Sequence, residues 1–410
     1  MKKILFLMGR YLPKPSANSI CVDNIIDEML ERNIEVACVC YQDFQKGRKD
    51  KVRIIKTKRN CFNSILYKCE NTPGIFSSVK SRIAKLFLDI RDVFFLHCWP
   101  YNEPLYWRKT YKKCEELREY FDYDTVVCVH MPLSSLLIGH KLKQVHPEIN
   151  YIPYFLDSLS DGNRLRYFSE QWNFRKKFKW EKKLLSNADM IIAMNSSKSH
   201  HERVSKDEIY YSRMRYLDIP LLKQGITVSS DPFSHDRINV IFSGTMNYPL
   251  RNVPYLLEIL KYLENENVDF YFVGNCNFDS LKRSKQRNIK YIPCVPHDEL
   301  LSYLQFADVY LNLGVLSPSA ISGKIFEYMS YGKPIISTYS VENEACIPYL
   351  KRYQLALLIN ENENAKVSAN KLINFLIATK GQKVDFEYVK KEFKDNTPEE
   401  FINTLINGGI

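Results

Sequence analysis

The sequence predicts an α/β protein built of two doubly wound, Rossmann-like domains. Three observations carry this. Short hydrophobic runs of strand length alternate with amphipathic helical stretches in both halves of the 410-residue chain. The alternation lapses once, over an aperiodic stretch with Pro220, Gly225 and Asp231-Pro232, and then restarts. Several of the strand-like runs lead directly into loops of small and polar residues, the places where open α/β sheets carry their chemistry.

Residues 2–8 form a first buried strand, followed by the loop Gly9–Ser19, an amphipathic helix from about Ile20 to Arg32 and a second strand from Ile34 to Tyr41. Val22, Ile25, Ile26, Met29 and Leu30 fall on one face of that helix. The loop holds small residues but not G-x-G-x-x-G, so it does not support a dinucleotide site. Residues 52–121 are less regular. Arg82–Phe95 reads as an amphipathic helix with Ile83, Leu86, Phe87, Ile90, Val93 and Phe94 apolar. Trp99, Tyr101, Tyr106 and Trp107 stand beside Arg108, Lys109, Lys112 and Lys113. Such a stretch can lie against a membrane surface, and more often is a core-packed helix with a solvated face. Three further strands follow, Thr125–His130, Tyr151–Asp157 and Asp189–Met194, and His130 and Asp157 stand at strand ends. Asp122-Tyr-Asp124 has the letters of a metal-binding D-x-D but precedes a strand and reads as a turn.

The expected boundaries are an N-terminal domain over 1–216, a linker over 217–237 and a C-terminal domain over 238–380. Residues 381–410 form a C-terminal helix and tail, a candidate for packing back on the N-terminal domain. In the second half, strands are expected at Ile238–Phe242, Asp269–Val273, Lys290–Pro293, Val309–Leu313, Pro334–Ser337 and Ala356–Ile359. The clearest helices run over Val253–Leu263 and His297–Phe306.

The most informative stretch is Ser317–Ser337, which reads as loop, helix, tight stop and buried strand. The helix starts near Ile321 to Gly323 and ends at Gly332, a residue suited to the left-handed C-cap. Lys333-Pro334 blocks its continuation. Lys324 and Glu327, three apart, share one face of the first turns. Such a pair is ordinarily solvated, but here it follows a Ser/Pro/Gly-rich loop after a hydrophobic strand. A cation and free N–H groups at a helix start can face a diphosphate, and a carboxylate can accept from two ribose hydroxyls.

Composition limits the alternatives. Hydrophobic residues make up 45% and aromatics 13%, enough for full cores. Eleven cysteines are scattered without a C-x-x-C pair, which argues for a reducing cytoplasm and against a disulfide framework. The opening apolar run Ile4–Met8 is too short for a signal-peptide core, and no run is long enough to span a membrane. Residues 1–220 hold 38 Lys+Arg against 26 Asp+Glu, and the remainder 20 against 21. All of the net charge of +11 therefore lies in the N-terminal half. An acidic partner such as anionic lipid fits this asymmetry, and so does excess lysine that serves solubility. A nucleic-acid partner is not expected, because the charge is dispersed over helices without a recognisable module.

Ser322-Gly323-Lys324-Ile-Phe-Glu327-Tyr-Met-Ser-Tyr-Gly332-Lys-Pro334 is similar to the S-K-x-x-E-Y-x-x-x-G-K-P form of bacterial polysaccharide enzymes. Phe242-Ser-Gly244-Thr-Met-Asn-Tyr-Pro-Leu-Arg251 looks like the F-x-G-x…K donor-phosphate loop of the same enzymes. Tyr291–Leu300 with Ala307-Asp308-Val309 resembles their base-binding segment and following strand. On these motifs the chain resembles the GT-B fold glycosyltransferases, most closely the retaining family 4. The resemblance implies two Rossmann-like domains facing across a cleft and a nucleoside-diphosphate sugar as substrate, with no cofactor and no metal. It implies a glycan or lipid-linked acceptor, cell-surface polysaccharide synthesis, and a cytoplasmic or peripheral location on the inner membrane face. It assigns His130, Arg251 and Lys324 to catalysis, with His130 orienting the donor sugar. It assigns Gly244, Thr245, Arg251, Cys294, Val295, Ser319, Ser322, Gly323, Lys324 and Glu327 to the donor. The N–H groups near Gly244, Ser322 and Gly323 would join Arg251 and Lys324 on the diphosphate. Asn18, Ser19 and Asp157 are left to acceptor or phosphate. The chain departs from the pattern at Ser319, where the first of two glutamates is common, at Thr245, where an arginine is usual, and at Arg251, where a lysine is usual. A nucleotide-sugar 2-epimerase shares the fold, but its catalytic carboxylates and histidine are not evident. A non-enzymatic nucleic-acid binder is the other alternative.

Overall fold

The computed structural model describes residues 2–11, 17–41, 51–58, 62–63, 65–66, 69, 75–94, 99–101, 103–161, 169–225, 228–316 and 321–408. The chain divides into two compact units, Met1–Pro220 with Pro398–Ile410, and Leu221–Thr397.

The first unit holds a seven-stranded parallel sheet. Its strands are β1 (Lys3–Leu7), β2 (Glu35–Tyr41), β3 (Arg53–Thr57), β4 (Thr125–Val129), β5 (Asn150–Phe155), β6 (Ile191–Met194) and β7 (Met214–Leu217), in the order β3-β2-β1-β4-β5-β6-β7. Side chains alternate across each strand, and both faces are covered, which is why the strands read as nearly continuous apolar runs. Ile4 and Phe6 pack with α1 (Ala17–Glu31) on one face. Leu5 and Leu7 pack with α3 (Pro104–Phe121) and α4 (Leu133–Val145) on the other. The remaining helices of this unit are α2 (Ile75–Phe94), α5 (Glu170–Leu185), α6 (Lys198–Val204) and, from the chain's end, α14 (Pro398–Asn407). Phe401, Ile402 and Leu405 of α14 join the α1 face, where Phe401 meets Tyr154 edge-on at 4.9 Å.

The second unit holds a six-stranded parallel sheet in the order β10-β9-β8-β11-β12-β13. The strands are β8 (Ile238–Ser243), β9 (Val268–Val273), β10 (Ile289–Ile292), β11 (Val309–Asn312), β12 (Ile335–Tyr339) and β13 (Ala356–Asn360). Its helices are α7 (Val253–Lys261), α8 (Asp279–Lys282), α9 (His297–Phe306), α10 (Lys324–Met329), α11 (Ile347–Arg352), α12 (Ala365–Ala378) and α13 (Phe386–Glu392). In each sheet the order reverses once, between β1 and β4 and between β8 and β11. Loops leaving strands on either side of such a reversal diverge and open a crevice at the carboxyl ends.

Several expectations change. The helix expected from Ile20 begins at Ala17, so Asn18 and Ser19 lie in its first turn and not in a loop. Strand β3 was hidden in the irregular region, and β7 lies where periodicity was read as lost; both are short edge strands with charged or exposed positions. The stretch 221–237 clusters with the second unit. The expected tail contains α14, which buries only three large apolar residues, Phe401, Ile402 and Leu405, in an otherwise polar sequence. The helix of the Lys324 motif is six residues long, shorter than expected. The aromatic stretch near Trp99 is packed inward. Trp99 and Tyr106 are buried, and Trp107 stacks on Tyr111 at 5.8 Å. The apolar stripe of α2 does face outward, with Phe76 84% and Leu86 59% exposed. Asp124 ties β1, accepting from the Lys3 amide at 3.2 Å, which is the structural role of the D-x-D letters.

Candidate functional site

In the second unit, the carboxyl ends of β8 and β9 meet at two glycines. Gly244 follows β8 with φ +130° and Gly274 follows β9 with φ +135°, conformations that L side chains rarely adopt. A Cβ on Gly274 would stand 2.0 Å from the Gly244 carbonyl oxygen. The two backbones therefore approach as closely as glycine alone permits, and a flat backbone floor results. Lys324 lies over that floor. Its Cε is 4.0 Å from where a Gly244 Cβ would be, and its Nζ pairs with Glu327 Oε2 at 2.7 Å. The Lys324 and Glu327 side chains are 35% and 26% exposed, so both reach the surface of the site. Burial works against the Lys324 ammonium, and the Glu327 carboxylate outweighs it, holding the lysine pKa above its ordinary value.

Arg251 approaches from the loop after β8. Asn252 caps α7 by accepting from the Tyr255 amide, which fixes the end of that loop. The loops flanking the switch point are stitched together: Arg251 Nη1 donates to the Leu313 carbonyl, and the Leu316 amide donates to Leu250 O at 3.1 Å. The Arg251 guanidinium also lies 5.7 Å from the Phe242 ring. It has five donors, and the described residues take only Nη1. Burial depresses its pKa without threatening its charge. Beneath, Tyr328 Oη accepts from the Ser243 amide at 3.0 Å, and its ring stacks on Tyr310 at 4.5 Å. Tyr328 thereby locks α10 to the end of β8, and with it Lys324 and Glu327.

Not every predicted donor contact survives. The Gly244 amide donates to Val273 O at 2.8 Å, and the Ser322 amide donates to Cys346 Sγ at 3.2 Å. Both were expected to face phosphate, and both are already committed. The Gly323 and Lys324 amides have no backbone acceptor among the described residues. Thr245 is exposed beside the floor, and Cys294 and Val295 lie on the loop after the edge strand β10. Ser319 lies outside the described residues. Lys333 of the Gly-Lys-Pro sequence is structural. Its Nζ donates to Ala307 O at 2.5 Å and to Gln305 O at the end of α9, and burial lowers its pKa to about 8. Gly332 has φ +69°, as the C-cap requires.

Sequence reading missed three site residues. Gly274 has a visible signal, since Phe-Val-Gly repeats the strand-then-glycine pattern of Phe-Ser-Gly244. Tyr328 lies inside the motif, but nothing in the sequence connects it to Ser243. Glu344 has no signal. It is 1% exposed, its Oε2 has no hydrogen-bond partner among the described residues, and burial pushes its carboxyl up to about 7.

In the first unit the first turn of α1 and the segments leaving β4 and β5 bring Asn18, His130 and Asp157 together. Asn18 Nδ2 donates to His130 O at 3.4 Å. His130 Nδ1 lies 2.9 Å from the Asp157 carbonyl oxygen, which can only accept, so Nδ1 carries the proton and Nε2 the lone pair. Nε2 makes no hydrogen bond among the described residues. Burial lowers the His130 pKa to about 4, so the ring is neutral at pH 7. Gly9 admits the neighbouring chain; a Cβ there would stand 3.0 Å from Pro132 Cδ. Ser19 is fully buried, which removes it from contact with an acceptor. Asp157 is exposed, and its carbonyl, not its carboxylate, is what the ring uses.

Among the described residues no group of His, Cys, Asp and Glu could hold a metal ion, and no helix is long and apolar enough to cross a membrane.

Residues 237–377 match the family model described as glycosyl transferases group 1. No curated protein sequence matches the chain. Among solved structures, Anabaena HepE in complex with UDP and glucose is similar with a TM-score of 0.57 at 15% identity, covering 99% of this chain and 100% of that one. A glycosyltransferase from Rickettsia africae gives 0.57 at 12%, covering 99% and 94%. The lipopolysaccharide outer core galactosyltransferase WaaB gives 0.51 at 14%, covering 99% of both. At these identities the likeness shows the fold, while the family match lies on the unit that carries Gly244, Arg251, Lys324 and Glu327. Residues 237–377 are thus similar to the glycosyl transferases group 1 family, and the chain as a whole has the GT-B fold.

Proposed function

We propose that this protein is a retaining, metal-independent glycosyltransferase. It moves a sugar from a nucleoside diphosphate to a glycan or lipid-linked acceptor in cell-surface polysaccharide synthesis. The observation that carries the reading is two cations at the sheet switch point: Lys324, paired with Glu327, lies over the Gly244–Gly274 floor, and Arg251 is tied to Leu313 just beyond β11. Negative charge builds on the departing diphosphate in the transition state, and preorganised cations stabilise it most when already fixed in place. Arg251 is fixed by Leu313, and Lys324 by Glu327. Glu327 has a second oxygen for ribose hydroxyls. His130 offers Nε2 as an acceptor for a substrate hydroxyl, and its depressed pKa keeps that acceptor free of a proton. The UDP complex of the similar HepE and the lipopolysaccharide outer core on which the similar WaaB acts support the donor class and the acceptor class respectively.

A cytoplasmic, membrane-peripheral location belongs to the same reading. The exposed stripe Phe76, Val79, Ile83, Leu86, Ile90 and Val93 lies on α2 with exposed Lys80, Arg82 and Lys85, in the half of the chain that carries the positive charge. An amphipathic basic helix of this kind suits an anionic lipid surface. The direct test of the function is a thermal-shift screen of UDP-, GDP- and ADP-sugars, followed by transfer assays with the stabilising one. Stabilisation by none of them would defeat the proposal.

A further inference from the structure

The first unit buries an acid that the proposed chemistry does not use. Glu181, on α5, is 0% exposed. Buried carboxylates are costly unless hydrogen-bonded, and this one is gripped from two elements. Its Oε2 accepts from the Ser160 amide at 2.9 Å, and its Oε1 accepts from the Tyr210 hydroxyl at 3.1 Å. The Ser160 hydroxyl hydrogen-bonds it as well, and that same Oγ lies 2.8 Å from His200 Nε2. Tyr210 Oη reaches Ser205 Oγ at 2.9 Å, which in turn lies 3.2 Å from His201 Nδ1.

Ser160 sits three residues beyond Asp157, in the loop that leaves β5. Ser158, Leu159 and Ser160 of that loop are buried, so its backbone groups need internal partners. The Asp157 carbonyl is the group that sets the His130 tautomer. The loop thus has two anchors, His130 at one end and Glu181 at the other.

We propose that Glu181 is a positioning residue: by holding the Ser160 amide it fixes the Asp157 carbonyl, and through that carbonyl it keeps His130 in the tautomer that presents Nε2 as an acceptor. The functional consequence rests on the reading that His130 faces a substrate hydroxyl; the tautomer itself does not.

The charged and titratable groups facing Glu181 are Asp161 from the loop, His200 and His201 from α6, and Tyr210 and Tyr216 beyond it. Lys177 lies one turn earlier on α5 and acts on His130 and Asp161. Burial, the largest influence, pushes the Glu181 carboxyl up to about 7. The ionised form accepts from both partners at full strength, and protonation converts one oxygen into a donor. The grip therefore weakens as pH falls through neutrality.

The test uses Glu181→Gln in the full chain, with two readouts. The first is the nitrogen chemical shifts of His130, with ¹⁵N-histidine labelling and His130→Gln for assignment. Wild type should show a single tautomer, protonated at Nδ1; Glu181→Gln should show a mixture of tautomers. The second is transfer kinetics between pH 5.5 and 8.5. Glu181→Gln should lower kcat by about tenfold to a hundredfold, the cost of misplacing a substrate-positioning group, with the donor KM within a factor of about three, and should flatten the acid limb. A folded Glu181→Gln protein with the wild-type His130 tautomer overturns the proposal whatever its kinetics. If Glu181→Gln does not fold, Tyr210→Phe removes one of the two grips and is read the same way, and an unchanged tautomer there overturns the proposal equally. Absence of any transfer by wild type would defeat the proposed function and leave the tautomer readout to decide this inference alone.

Discussion

Glu327→Ala tests the second unit's site most directly. Glu327 Oε2 is held by Lys324 Nζ at 2.7 Å, and both side chains are partly hydrated. A pair at that exposure contributes about 0.2–1 kcal/mol, so the unliganded variant should unfold within that range of wild type. The ligand-bound state should differ far more. Two ribose hydroxyls donating to a carboxylate form charge-assisted hydrogen bonds of about 1.5–3 kcal/mol each. Taking the lower figure for both gives about 3 kcal/mol, or about a hundredfold in Kd. With donor nucleotide at about 100 times the wild-type Kd, wild type gains about 2.7 kcal/mol, and the variant, then near its own Kd, gains about 0.4 kcal/mol. For a unit the size of Leu221–Thr397, about 2–4 °C of Tm accompany each kcal/mol. The nucleotide-induced shift should therefore fall from about 5–10 °C to about 1 °C, measured by differential scanning fluorimetry and checked by titration calorimetry. A Glu327→Ala protein that keeps the wild-type shift and Kd would show that this carboxylate does not hold the ribose.

Three further predictions follow from geometry elsewhere. Gly274→Ala places a methyl 2.0 Å from the Gly244 carbonyl at φ +135°; strain and clash together should cost more than about 3 kcal/mol in denaturant unfolding. Gly381→Ala, at φ +74° with nothing within 4 Å, should cost only about 1–2 kcal/mol. Equal losses at the two positions would refute the close-approach argument. The Glu344 carboxyl, raised to about 7 by burial, binds its proton more tightly folded than unfolded. Its stabilising contribution is complete below the unfolded value near 4.5 and is lost as pH rises to about 7, on the order of 3 kcal/mol. Glu344→Gln should flatten that fall in a pH series of unfolding curves, and an unchanged profile would refute it. On α2, Phe76→Glu with Leu86→Glu changes two exposed positions, 84% and 59%, and should leave the unfolding free energy within about 0.5 kcal/mol of wild type. Flotation with anionic vesicles at low salt should be lost, whereas equal flotation of variant and wild type would exclude this face.

Much of the fold was legible because its signals are local. Apolar runs in the doubly covered sheets, helical periodicity in Ile20–Arg32, and the Gly332-Lys-Pro334 stop all depend on residues within a few positions of one another. The elements that escaped were those whose apolar content is supplied by distant partners. β3 and β7 are edge strands with mixed sequences. α14 has only Phe401, Ile402 and Leu405 to bury, and its reason to fold is the α1 face contributed by the other end of the chain. At the site, Lys324 and Glu327 were legible as a pair by spacing, and they are a pair. Ser19 was misplaced because a helix boundary moved by three residues, which turned it into the core.

The sequence by itself determined the two repeating α/β halves, the positions of Arg251, Lys324 and Glu327 on loops or helix starts after buried strands, and the placing of His130 at a strand end. Hydrophobic periodicity and turn chemistry act over short separations and leave their marks in the letters. Only the tertiary structure decided how each polar group is spent. It committed the Gly244 and Ser322 amides to Val273 and Cys346, brought Gly274 against Gly244, tied Tyr328 to Ser243, fixed the His130 proton on Nδ1 through Asp157, and buried Glu181 and Glu344. Those outcomes depend on partners far apart in the chain, and a hydrogen bond or a burial cost exists only once the fold has brought both sides together.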